Sequence, residues 1–200
     1  VSVTAADVKA LRDRTGAAMM DCKAALTEAE GDAERAVELL RVKGQASAAK
    51  REGRGTSEGV VASYIHANDR VGAMVEVQCE TDFVARNEDF KAFAYEVALH
   101  VAATAPQYVT IEEIPEGERE AEKRVFEEKA REDGKPDNVV EKIVEGQLAK
   151  WGKEVALLDQ DHVNAEKHDS KSIEELRQEL AAKTGENIRI ARFAYFRVGE

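Results

Sequence analysis

Catalysis leaves recognisable groupings in a sequence: a nucleophile with its base, paired carboxylates, a ligand cluster or a phosphate-cradling loop. In these 200 residues the candidates are few. Glu80 and Asp82 stand two positions apart, but spacing alone assigns no acid and base roles. Cys22 and Cys79 are too few for a disulfide framework or a thiolate metal site. His66, His100, His162 and His168 have no Cys, His or carboxylate at a ligand spacing and are expected to be isolated, so no metal site is expected. Gly53, Gly55 and Gly59 resemble a dinucleotide loop only superficially, since no strand precedes them and no amphipathic helix follows. No GxxxxGK[ST] pattern occurs. The expectation is a binding protein, with no catalytic residue and no cofactor.

The informative stretch is CETDFVARNEDF, residues 79–90. Upstream, Val71, Ala73, Val75, Val77 and Cys79 alternate with polar or small residues, the pattern of a half-buried strand. Cys79 would then be buried, its thiol pKa raised and its sulfur inert. Downstream, Asn87 can cap a helix that buries Phe90, Phe93, Ala94, Val97, Ala98 and Val101 and ends before Pro106. Between them lie Thr81, Asp82 and Phe83. Either Phe83 plugs the strand–helix junction while Asp82 caps the turn, or both face outward to a partner.

The surrounding elements follow from periodicity and turn chemistry. Residues 1–52 read as three short helices. Thr4 with Asp7 forms a capping box, Val3 staples against Val8, and Gly16 stops the first helix. In the second, Met19, Cys22, Ala25, Leu26 and Ala29 share a stripe; core packing is the simpler role for Met19, and Met20, off that stripe, suits a partner surface. The third starts at Asp32, buries Ala36, Val37 and Leu40, and is expected to end before Gly44. Residues 45–59 read as a frayed basic helix and a linker at 53–59, with Lys43, Lys50, Arg51 and Arg54 on a solvated face. A hairpin of VVASYIH and VGAMVEVQC turns at residues 67–70. A helical hairpin follows, from about Glu116 to Glu132 and from Pro136 to about Leu158, with Trp151 as a core or interface anchor. Residues 159–171 read as polar and irregular. Ser172 caps a last helix, and NIRIARFAYFRVGE closes the chain as a strand apolar on both faces, which predicts a central position or a subunit interface.

The fold class is therefore α+β: a three-helix domain at 1–52, a linker at 53–59, and at 60–200 a core of helices on a small antiparallel sheet. With 43% hydrophobic and 34% charged residues, the chain can bury a real core. The net charge of -11 argues against broad nucleic-acid or anionic-membrane binding. No apolar run approaches the roughly 20 residues that cross a bilayer, and no apolar signal region is evident at the charged N-terminus, so a cytoplasmic location is expected.

LRDRTGAAMMDCKAAL at 11–26, CETDFVARNEDF at 79–90, GKPDNVVEKIVEGQLAKW at 134–151 and GENIRIARF at 185–193 together resemble the bacterial elongation factor Ts family, in its short form. The resemblance implies a guanine-nucleotide exchange factor for elongation factor Tu without covalent chemistry of its own. It implies that the N-terminal helices form a domain similar to ubiquitin-associated domains, placing Arg12, Met19 and Met20 against the GTPase domain. It also implies that Thr81, Asp82, Phe83 and Val84 form the exchange motif, with Phe83 wedging between helices near switch II and the magnesium site. Short-form members work as homodimers, and the dimerisation elements would lie in the core. Three departures stand out: Ala18 in place of the usual glycine, Asp161 and His162 in place of proline and phenylalanine, and Ala191 and Ala194 in the last strand, which excludes an intersubunit disulfide there. A reading from another class is an adaptor whose N-terminal module binds peptides on a dimeric scaffold, and it predicts a dispensable Phe83. A thiol enzyme using Cys79 is a third.

Overall fold

The computed structural model describes residues 3–200. In chain order the elements are α1 (Ala5–Thr15), α2 (Met19–Glu28), α3 (Ala33–Ala49), β1 (Glu58–Ile65), β2 (Val71–Cys79), α4 (Asp82–Ala85), α5 (Glu88–Thr104), α6 (Glu116–Glu132), α7 (Asp137–Val155), α8 (Ala165–His168), α9 (Ile173–Thr184) and β3 (Arg189–Arg197). Short 3-10 turns occupy Ile111–Glu113 and Leu157–Asp159. The protein is α+β, with one small antiparallel sheet in the order β1-β2-β3.

Two compact units divide the chain. The first comprises Val1–Val61, Glu76–Ala94 and Glu175–Ile190. The N-terminal helices begin as the capping chemistry dictates: the Thr4 hydroxyl accepts from Asp7 N at 3.2 Å while the Asp7 carboxylate accepts from Thr4 N at 2.9 Å. Gly16, at φ 68°, turns the chain out of α1, and its N–H donates to Arg12 O. Val8, Leu11, Cys22, Ala25, Leu26, Ala29 and Ala36 close a small core, with Val3 packed against it. Helix α3 does not end at Gly44; it continues to Ala49 and buries Ala48. The glycine there serves close packing instead, since a Cβ at Gly44 would sit 3.2 Å from the Ala182 methyl on α9. Lys43, Arg51 and Arg54, read as a solvated face, each find a protein acceptor, in Glu28, Ala181 O and Glu80 respectively.

The second unit comprises Ala62–Val75, Tyr95–Glu174 and Ala191–Glu200. Its helical hairpin packs Ala130 against Val140 and Val144, with Phe126, Ile143 and Leu148 at the margin. Gly134, at φ 69°, makes the turn. Helix α7 stops at Val155, short of the expected Leu158, because Leu157 N and Leu158 N donate instead to Tyr108 O and Val109 O. Residues 160–172 are more ordered than their composition predicts: they contain α8 and an antiparallel bridge between Asp161 and Ser172.

The central strand is β2, whose Ala73, Val75, Val77 and Cys79 are buried as the alternation predicts. Strand β3 lies at the edge, not the centre. Apolar residues divide along its length: Ile190, with Ile188 just before the strand, is buried, while Phe196, with Val198 just after it, is exposed. Periodicity cannot distinguish that arrangement from a fully covered strand. Among the described residues no helix is long and apolar enough to cross a membrane.

Candidate partner-binding site

The TDFV segment leaves the end of β2 through a tight corner. Cys79, the last strand residue, is fully buried and donates its S–H to Thr81 O at 3.3 Å. Burial, reinforced by the nearby Glu186 carboxylate, pushes this thiol up to about 11, so it is protonated and unreactive at neutral pH. Helix α4 begins three residues on, at Asp82. Thr81 is its N-cap, with an extended backbone and a hydroxyl that accepts from Val84 N at 3.5 Å.

Asp82 therefore does not cap the turn; it pairs at 3.1 Å with Arg86, one helical turn on. Nor does Phe83 plug the junction. It is 82% exposed, whereas Ala85 on the same short helix is buried and Val84 is half-buried. Four residues cannot hold a helix by their own hydrogen bonds, because nucleation costs more than one turn returns. The corner must be held from outside.

The support comes from the α9–β3 junction. The Glu186 carboxylate accepts from Glu80 N at 3.0 Å, from Thr81 N at 3.1 Å and from the Thr81 hydroxyl at 2.6 Å. Glu80 in turn accepts from Asn187 N at 2.6 Å and from Arg54 at 3.4 Å. The buried Asn187 side chain donates to Glu52 O and Arg54 O, and the buried Arg177 donates to Ile188 O at 2.7 Å and to the Glu52 carboxylate at 3.2 Å. Hydrogen bonds to a charged group are stronger than neutral ones, so this frame fixes the direction in which Phe83 projects. Neither Glu52 nor Arg177 stands out in sequence, and Glu186 and Asn187 fall inside the GENIRIARF stretch without a role being legible from it. The one signal is that Glu186 and Asn187 are polar residues wedged between a helix-stopping Gly185, at φ 75°, and an apolar strand start.

Arg12 is exposed on α1. Met19 is 46% exposed, so it is not a core residue as its stripe suggests, and Met20 is 73% exposed. Both sit in the first turn of α2. Ala18 precedes them as its N-cap, at φ -63° and ψ 145°, and so is extended and not helical; alanine replaces glycine here without strain because φ is negative. The Arg12–Met20 set and the TDFV segment belong to the same compact unit.

The family model described as elongation factor TS matches residues 33–169. The chain is also 52% identical over 200 residues to the elongation factor Ts of Geobacter metallireducens, covering all of this chain and 91% of that protein. This chain belongs to the elongation factor Ts family. Similar agreement holds with the elongation factor Ts of Geobacter sulfurreducens, at 50% over the whole chain and 91% of the relative, and with that of Syntrophomonas wolfei, at 52% over 99% and 91%. The expected isolation of the histidines, by contrast, is not observed in this elongation factor Ts family member. His162 and His168 both face Glu96, and the His100 and His162 ring centroids are 5.4 Å apart. His66 lies 3.1 Å from the Tyr64 hydroxyl. His162, in the loop that departs from the family pattern, points inward and is 2% exposed.

Proposed function

We propose that this protein is a guanine-nucleotide exchange factor for elongation factor Tu, acting in the cytoplasm by binding alone. The observation that supports this best is the pairing of opposites at the TDFV corner. A large aromatic ring is held out in solvent by a frame of charge-assisted hydrogen bonds backed by the buried Asn187 and Arg177. Exposed phenylalanine gains nothing for the folded monomer, and a ring of this size gains about 1.5–3 kcal/mol when a partner covers it. In this reading Phe83 enters a gap between helices near switch II of Tu, Thr81, Asp82 and Val84 contact its rim, and Arg12, Met19 and Met20 hold the GTPase domain. The N-terminal helices serve as a ubiquitin-associated-like module at 1–52, joined through 53–59 to the core.

The chemistry required is thermodynamic linkage. If the pocket for Phe83 exists only when the switch region has opened, binding of the factor and binding of GDP oppose each other by the same coupling free energy. Each 1.4 kcal/mol of coupling is tenfold in affinity. The test is to measure affinity for nucleotide-free Tu and for Tu saturated with GDP: at least about tenfold tighter binding to the empty form is expected, and equal affinities would reject exchange as the function.

We further propose a homodimer through the end of the sheet, without nucleic acid or membrane as a partner. Ile65, Met74, Phe196 and Val198 expose apolar surface there, around a groove of about 550 Å³. Sedimentation at micromolar concentration is expected to return twice the chain mass; a monomer mass would reject the dimer.

A further inference from the structure

A second cluster, which nucleotide exchange does not use, lies where the 160–171 loop meets α5. Glu96 on α5 pairs one carboxylate oxygen, Oε1, with Lys167. The other, Oε2, lies 3.5 Å from His162 Nε2 and 3.5 Å from His168 Nε2. One ligating atom of each of the three side chains lies within 4.8 Å of the other two, and the two rings stand 4.1 Å apart at 59°. Two ligand atoms each about 2.1 Å from a tetrahedral ion stand about 3.4 Å apart, so the side chains need only small adjustments to share one.

His168 Nε2 is buried and meets no well-aligned hydrogen-bond partner among the described residues, the Glu96 carboxylate standing 3.5 Å away. Buried polar atoms are rarely left in that condition, and this one is aimed at the carboxylate. His162 Nδ1 accepts from Asn164 N at 3.1 Å, which leaves the ring proton on Nε2, 3.3 Å from Glu96 O.

We propose that Glu96, His162 and His168 form a binding site for a divalent first-row transition ion of the zinc type, which ties the 160–171 loop to α5. Two imidazoles and one carboxylate suit zinc, cobalt or nickel, whereas magnesium and calcium prefer all-oxygen sets. On binding, the His162 proton moves from Nε2 to Nδ1 and Asn164 N, in an exposed residue, turns to water. That exchange gives up the Asn164 N–H···Nδ1 hydrogen bond and the long Nε2···Glu96 O contact, less than a metal–imidazole bond returns. Lys167 holds the carboxylate oxygen that does not ligate, an outer partner that orients the one that does. A fourth position remains for water.

The test is titration of the metal-stripped full chain with Zn²⁺ by calorimetry and with Co²⁺ by visible absorption. One equivalent is expected to bind, with Co²⁺ ligand-field bands and a melting temperature that rises with Zn²⁺ and falls again with a chelator. His168→Ala and Glu96→Gln are each expected to weaken Zn²⁺ binding by at least about tenfold. His66→Ala, at an exposed position outside the cluster, should leave it unchanged. Should His162→Ala fail to fold, His168→Ala still decides, since that side chain lies at the protein surface with 17% exposure. Absence of the bands with Co²⁺ in excess, or equal Zn²⁺ affinity in His168→Ala, would overturn the site.

Discussion

Replacing Phe83 by alanine is expected to slow factor-dependent GDP release from elongation factor Tu by about ten- to a hundredfold, measured with subsaturating factor, while leaving the melting temperature unchanged. The magnitude follows from the ring alone. At 82% exposure it makes little contact in the free protein, so its removal leaves no cavity and lies among surface changes worth within about 0.5 kcal/mol. In the complex the same ring would forfeit about 1.5–3 kcal/mol of burial, which is about one to two powers of ten in rate. Phe83→Leu, which restores part of the apolar area, should recover part of the rate. If Phe83→Ala exchanges as fast as the wild type, the wedge is wrong and the driving contact moves to the Arg12, Met19 and Met20 surface, or the adaptor reading gains.

The second large effect concerns a residue that acts through the corner it supports. Glu186→Ala removes three acceptor interactions from the corner, those of Glu80 N, Thr81 N and the Thr81 hydroxyl. Hydrogen bonds to a charged group contribute about 1.5–3 kcal/mol each, and water replaces part of each at this part-exposed corner, so the variant should be less stable by about 1–3 kcal/mol in all. Exchange should fall by about tenfold or more at temperatures where it remains folded, because Phe83 loses its fixed direction and must be ordered on binding. Two readouts separate positioning from general damage. Amide hydrogen exchange should accelerate at Glu80 and Thr81 more than in the core around Leu26, and Glu186→Gln, which keeps an oxygen acceptor, should recover part of the rate. Uniform loss of protection across the chain would mean that Glu186 is simply a stability residue.

Short-range features of this fold can be read directly from its sequence. The Thr4 and Asp7 reciprocal cap, the period-two burial of β2 and the bounds of α6 each depend on residues a few positions apart, and each appears as its local chemistry requires. What escapes the sequence is set at long range. Gly44 looks like a helix stop until Ala182 is brought against it. An edge position for β3 depends on which strand pairs with β2, which no pattern within β3 encodes. Met19 lies on an apolar stripe yet opens the first turn of its helix, where the core no longer covers it.

The site divides in the same way. Phe83 and its neighbours draw attention because an aromatic beside an acid at a strand–helix corner is unusual, and the family resemblance names them. Their support does not, because Glu186 reaches Thr81 across 105 positions and Asn187 reaches Glu52 across 135. Polar side chains at such separations are indistinguishable in sequence from solvated ones. Their roles emerge only when burial forces each donor to find its acceptor.

The central claim is that this protein accelerates nucleotide release from elongation factor Tu. It is tested most directly by mixing Tu carrying a fluorescent GDP with excess unlabelled nucleotide, with and without this protein, and following release. The account predicts a release rate that climbs with protein concentration toward a plateau and a Tu that emerges chemically unchanged. A rate that stays at its spontaneous value while the two proteins demonstrably form a complex would contradict it.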